Sequence, residues 1–169
     1  MLGAAAVGKT SLVRQFVEGI FSDQYVTTIG VKIQKKPVEV EQRTVTLLLW
    51  DINGEDRFQR VSNSYIRGAS AYLLVADGTR PQTIETARSL HERARETVGD
   101  VPYHLLLNKA DLREASPASA PGTAPQWAVS DRTLARYGVA GWPTLYTSAK
   151  TGQNVEKAFE SLARSLVAA

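Results

Sequence analysis

Cysteine is absent from all 169 residues, which removes disulfides, thiolate metal sites, cysteine nucleophiles and C-terminal prenylation together. No stretch approaches the roughly 18 consecutive apolar residues of a membrane span. The first residues lack the basic and apolar regions of a secretory signal, so a reducing, cytoplasmic setting is the expectation. Basic residues do not gather beyond Lys35-Lys36 and the net charge is only +3, so nucleic acid is not an expected partner. His91 and His104 stand alone, and no Ser/His/Asp set is visible. Both histidines read as surface or strand residues.

What is present is an ordinary soluble composition, with 43% hydrophobic and 22% charged residues over a length that suits a single domain, 1–169. Its organising stretch is Gly3-Ala4-Ala5-Ala6-Val7-Gly8-Lys9-Thr10, which matches G-x-x-x-x-G-K-[ST]. The two glycines let backbone N–H groups turn inward around a β-phosphate. Lys9 places a point charge on the β- and γ-phosphates, and the Thr10 hydroxyl is a Mg²⁺ ligand. The following helix adds the partial positive charge of its N-terminus. Taken alone, the same residues also read as a Gly/Ala turn ahead of an ordinary helix. Such a loop normally follows a buried strand of about 5–6 residues, yet only Met1 and Leu2 precede Gly3. The first strand is therefore expected to be truncated. A chain starting here is expected to be of low stability in isolation, because two neighbouring strands would lack ladder partners.

Apolar residues at Leu12, Val13, Phe16, Val17 and Ile20 predict a first helix over Thr10–Phe21, and the polar stretch 22–30 predicts a loop. Val31–Val40 and Thr44–Trp50 read as strands of an antiparallel hairpin joined by Glu41-Gln42-Arg43, with Pro37 suited to an edge. Phe58–Arg67 is a short helix candidate, and Ala71–Ala76 and Tyr103–Leu107 are buried strands. Between them Pro81 opens a helix with Ile84, Ala87, His91, Ala94 and Val98 on one face. Its Glu85, Arg88, Glu92, Arg95 and Glu96 form a solvated face. Residues 116–125 are rich in proline and alanine and read as a surface insertion. A helix from about Val129 to Tyr137, a strand near Thr144–Thr147 and an amphipathic helix on Val155, Phe159, Leu162 and Leu166 complete the chain. Strand–helix alternation with one hairpin means an α/β fold, with a mostly parallel sheet between two helical layers and one antiparallel edge strand.

Ligands of such sheets sit beyond the carboxyl ends of the strands, and three more motifs fall there. In Asp51-Ile52-Asn53-Gly54, Asp51 can hold Mg²⁺ through a water and the Gly54 N–H can reach a γ-phosphate. In Asn108-Lys109-Ala110-Asp111, the Asp111 carboxylate can accept from the guanine N1–H and 2-amino group, a pairing adenine lacks. The Lys109 stem can cover the base face. Ser148-Ala149-Lys150 offers a backbone N–H to the guanine O6. Each motif alone also reads as a loop turn; four in order, at the right ends of the right elements, do not.

Together with Tyr25-Val26-Thr27-Thr28-Ile29-Gly30 and Trp50–Phe58, these motifs make the chain similar to the Ras-superfamily small GTPases, nearest in motif to the Rab type. The resemblance implies a P-loop fold that binds GTP or GDP with Mg²⁺ and acts as a hydrolysing switch. It implies nucleotide contacts from Gly3, Ala6, Val7, Gly8, Lys9, Thr10 and Ser11, and from Asn108, Lys109, Asp111, Ser148, Ala149 and Lys150. Thr28 would ligate Mg²⁺ beside Thr10 and Asp51 and sense the γ-phosphate. Phe21 would stack on the guanine, a position that also suits a core residue at a helix end. Tyr25 would close over the phosphates. Residues 22–30 and 52–68 would be the switch loops that meet effectors and regulators. Lys9, Thr28, Gly54 and Glu55 are the residues expected at the reacting phosphate.

Departures from that pattern matter. The family usually has Gln where this chain has Glu55, and that Gln orients the attacking water. A carboxylate about 4 Å from a phosphate oxygen costs on the order of 4 kcal/mol at an effective dielectric near 20. Glu55 can also lie outward as a solvated loop charge. Ala5 and Ala6 crowd the γ-phosphate side where many relatives keep glycine. Slow hydrolysis is therefore expected, with a non-hydrolysing guanine-nucleotide scaffold as the alternative. A P-loop kinase is disfavoured by Asn108–Asp111. Arg57 and Arg60 are arginine-finger candidates only by proximity. The missing cysteine tail implies no direct lipid anchor and is compatible with a prokaryotic relative or an excised domain.

Overall fold

A computed structural model of the chain describes residues 1–24, 27–54, 61–113 and 126–168. Four parallel strands, β1 (Leu2–Gly3), β4 (Tyr72–Asp77), β5 (Tyr103–Asn108) and β6 (Thr144–Tyr146), form a sheet in the order β1-β4-β5-β6. β2 (Val31–Val40) and β3 (Arg43–Ile52) pair antiparallel as a second, two-stranded sheet. The α/β expectation holds. The hairpin turn is tighter than the three residues read from sequence: only Glu41 (φ 49°) and Gln42 (φ 64°) turn the chain, and Arg43 already pairs with Val40. Two consecutive positive φ values are the signature of a type I′ turn, whose twist matches the flanking strands. Pro37 lies opposite Thr46 on β2, an edge strand that pairs only with β3 among the described residues, where a missing N–H costs little.

β1 is short, as the sequence leads one to expect. It pairs through Leu2↔Leu74 and Gly3↔Val75, and the Met1 ammonium donates to the Trp50 carbonyl at 2.8 Å. Beside it a cavity of about 470 Å³ opens between Leu47 and Leu49 of β3, Tyr72 and Leu73 of β4, and Phe159 and Leu166.

Helices cover both faces of the sheet. α1 (Lys9–Glu18) and α5 (Val155–Val167) bury Leu12, Val13, Phe16, Ala158 and Phe159 against Val75 and Leu106. The Phe16 and Phe159 rings stack at 4.1 Å between centroids, an arrangement worth about 0.5–1.5 kcal/mol beyond burial. On the other face α2 (Asn63–Ile66), α3 (Thr83–Val98) and α4 (Asp131–Arg136) pack Ile66, Ile84, Leu90 and Leu134 on Leu74, Leu105 and Leu107. Glu85, Arg88, Glu92, Arg95 and Glu96 are exposed on α3, as read. His91 is not a surface residue: it is buried among the rings of Tyr72, Tyr103 and Trp142, and its Nδ1 lies 2.9 Å from the Tyr72 hydroxyl. The expected start of the Phe58 helix and the insertion at 116–125 lie outside the described residues. No helix among the described residues is long and apolar enough to cross a membrane.

Candidate functional site

The phosphate loop joins β1 to α1. Gly8 caps α1 with φ 98°, and a Cβ there would stand 2.3 Å from Asn108 Nδ2, so only glycine fits both the backbone and the neighbour. Gly54 likewise abuts the loop: a Cβ on it would lie 2.3 Å from the Ala5 Cα. Lys9 is buried, with Nζ donating to the carbonyls of Gly3 (3.1 Å) and Ala4 (2.9 Å). Burial pushes its ammonium down to about 8; Asp51 opposes the shift and Arg80 adds to it.

Three oxygen side chains converge at the start of α1. Thr10 Oγ1 donates to Asp51 Oδ2 at 2.6 Å and lies 2.7 Å from Thr28 Oγ1. The second carboxylate oxygen of Asp51, Oδ1, is buried with no hydrogen-bond partner among the described residues. Burial pushes the Asp51 carboxyl up, against the Thr10 hydrogen bond and the Lys9 charge. A buried carboxylate oxygen without a donor is costly, and an all-oxygen donor set is the chemistry of a hard divalent cation. These residues fit Mg²⁺.

At the far end of the pocket Asn108 ties three loops together. Its Nδ2 donates to the Val7 carbonyl at 2.9 Å, and its Oδ1 accepts from Ala149 N–H at 3.2 Å and from Thr147 Oγ1 at 3.4 Å. Ser148 Oγ donates to Asp111 Oδ1 at 2.6 Å, which orients the carboxylate. Lys109 adopts φ 69°, and its Nζ pairs with Asp77 Oδ2 at 2.7 Å, so its stem rather than its charge is presented along the pocket. The Ala149 N–H is thus held by Asn108 Oδ1.

These elements enclose one pocket of about 570 Å³, within the range of small-molecule sites. Ala6, Gly8, Lys9, Thr10, Ser11, Phe21, Thr28, Gly54, Asn108, Lys109, Asp111, Ala149 and Lys150 line it. Gly3, Val7, Asp51 and Ser148 stand behind that lining. Phe21 both lines the pocket and packs against the α1–α5 core, so its two readings are compatible. Tyr25 and Glu55 lie outside the described residues, as do Arg57 and Arg60. Sequence reasoning missed Arg14, Ile20 and Leu112 in the lining, and Asp77 and Arg80 behind it. Asp77-Gly78-Thr79 also ends a buried strand on the ligand side, the position that signalled the other motifs.

A phosphate loop at the rim of a parallel sheet flanked by helices defines the P-loop α/β class. A family model described as Ras family matches residues 1–168. The chain is 36% identical over 170 residues to the Ras-related protein Rab7 of Drosophila melanogaster, covering 98% of this chain and 77% of that protein. It is 40% identical over 173 residues to the human Ras-related protein Rab-37, covering 98% and 71%. The mouse Rab-37 is 39% identical over the same length. The chain belongs to the Ras family and is a Rab-like small GTPase.

Proposed function

We infer that the chain is a GTP/GDP-dependent molecular switch that hydrolyses GTP slowly. The observation that carries this reading is one pocket with a phosphate loop and the Thr10–Thr28–Asp51 oxygen cluster at one end and the oriented Asp111 carboxylate at the other. Lys9 serves the β- and γ-phosphates, whose negative charge favours its ammonium form against the effect of burial. Thr10, Thr28 and Asp51 would hold Mg²⁺, which would supply charge neutralisation at the phosphates. Gly54 offers its N–H to the γ-phosphate, Tyr25 closes over the phosphates, and Phe21 and the Lys109 stem sandwich the base. Asp111 accepts from the guanine edge. Thr28 and the Gly54 loop order around the triphosphate and relax on hydrolysis. Effectors and regulators read that change at residues 22–30 and 52–68, where Ile29 is 90% exposed.

Calorimetry with magnesium tests the binding step: GDP binds and ADP does not, and Asp111→Ala lowers the guanine preference by at least tenfold, the factor for a buried charged hydrogen bond left unmade. Retention of the preference in that variant would overturn the assignment. Single-turnover hydrolysis tests the rate. Glu55→Gln is expected to accelerate it, and no gain would remove Glu55 as the cause of slowness. Labelled GTP that is bound but never converted to GDP would instead favour the non-hydrolysing scaffold, the reading that Glu55 in the Gln position also supports.

A further inference from the structure

Asp77, at the carboxyl end of β4, has a fully buried side chain carrying four donors. Oδ1 accepts from the Thr79 N–H (2.9 Å) and hydroxyl (2.7 Å), and Oδ2 accepts from Lys109 Nζ (2.7 Å) and Arg80 Nε (2.8 Å). Burial alone would raise this carboxyl. The bonds from Lys109, Thr79 and Arg80 outweigh it and hold the group below its ordinary range, hence ionised. Arg80 then spans from this anchor to the phosphate loop, its terminal nitrogen donating to the Ala5 carbonyl at 3.1 Å.

The direction of that bond has a consequence. A trans peptide points its C=O and N–H opposite ways. With the Ala5 carbonyl held by Arg80, the Ala6 N–H faces the other side, toward the pocket lined by Ala5 and Ala6 but not by Arg80. Ala6 adopts φ 58°, a region an L-residue with a Cβ enters only under strain. The unstrained alternative is reached by rotating this peptide, which would aim a carbonyl dipole at the phosphate site. We propose that Arg80, anchored by Asp77, is a positioning residue that locks the Ala5–Ala6 peptide with its N–H directed at the bound phosphates.

The inference rests on the nucleotide-binding reading, and the experiment separates the two. GDP and IDP affinities are measured with magnesium for the parent chain, Arg80→Ala and Arg80→Lys. Lysine keeps the charge but, as a point donor, does not bridge Asp77 and Ala5 as a guanidinium fork does. Both variants are expected to weaken GDP and IDP by the same factor, roughly tenfold for one lost charge-assisted hydrogen bond, with the GDP/IDP ratio unchanged. Unaltered affinity in Arg80→Ala would overturn the proposal, as would full activity of Arg80→Lys, which would make charge alone sufficient. A changed GDP/IDP ratio would overturn it too, since the effect would then run through Lys109 and the base. Should the alanine variant fail to fold, the lysine variant decides. A parent chain without guanine preference would sink the nucleotide reading itself.

Discussion

Individual residues in this chain sit where their chemistry is unfavourable in isolation. Ala6 is the plainest case: its exposed methyl group occupies the left-handed region at φ 58°. The penalty there is about 1–2 kcal/mol, and glycine gives back about 0.4–1 kcal/mol through the greater freedom of its unfolded chain. Ala6→Gly is therefore expected to stabilise by up to about 1 kcal/mol, a rise of roughly 2–4 °C in Tm for a chain of this size. Differential scanning calorimetry without nucleotide checks it. A fall in Tm would mean that the strain is not located at this residue. Lys9 and Asp51 show the same tension in charge: burial moves both toward neutrality, and each opposes the other's shift.

At the scale of elements, the sequence was most legible where a short pattern encodes its own contact. Gly8, Lys9 and Thr10 are adjacent, and the four residues Asn108–Asp111 make one turn, so spacing alone located both. Capping was not read from the sequence. Gly19 caps α1 at φ 68°, so that the helix ends at Glu18, three residues short of the Phe21 end that hydrophobic spacing suggests, and Ser130 with Thr133 forms the capping box that starts α4. The link from Asp77 through Arg80 to Ala5 was not legible, because it joins positions 75 residues apart and depends on side-chain reach rather than periodicity. His91 was legible only in part: helical spacing put it on the face of Ile84, Ala87 and Ala94, but a lone histidine carries no sign of the rings that other elements bring to it. Burial and then Arg95 push His91 down, against Glu92 and Asp100, and burial does the same to His104. A histidine whose folded pKa is depressed binds its proton more readily in the unfolded state. Stability is then lost as pH falls below the ordinary value near 6.5. Asp51, raised, acts in the opposite sense. Between pH 7.5 and 5.5 the parent chain is expected to lose more Tm than His91→Gln does. Equal slopes would show that His91 takes up its proton equally in the folded and unfolded states.

For the whole molecule, the site is the place where otherwise separate parts meet. The four-stranded sheet contributes the phosphate loop, Asn108 and Asp111; the separately paired hairpin contributes Asp51 at its end; the loop before it contributes Thr28. Polar contacts across that junction run from Thr10 to Asp51 and Thr28, from Gln34 to Glu18, from Lys36 to the Phe16 carbonyl and from the Met1 ammonium to Trp50, and Val38, Val40 and Leu49 of the hairpin share the core of α1 and α5. A cavity of about 470 Å³ between β3 and β4 leaves the packing there incomplete. A nucleotide and its metal would add bonds to both sides at once, so occupancy should govern global stability more than any single core contact. At a ligand concentration a thousand times Kd, the gain is about 4 kcal/mol, or roughly 8–16 °C in Tm. GDP with magnesium is expected to produce a shift of that order, ADP with magnesium none, and chelation with EDTA is expected to return a substantial part of it. Thermal scans of the intact chain under the four conditions decide the matter. A GDP shift indifferent to EDTA would exclude the Thr10–Thr28–Asp51 cluster as the metal site, because the stabilisation would then pass through the phosphate loop and the base alone.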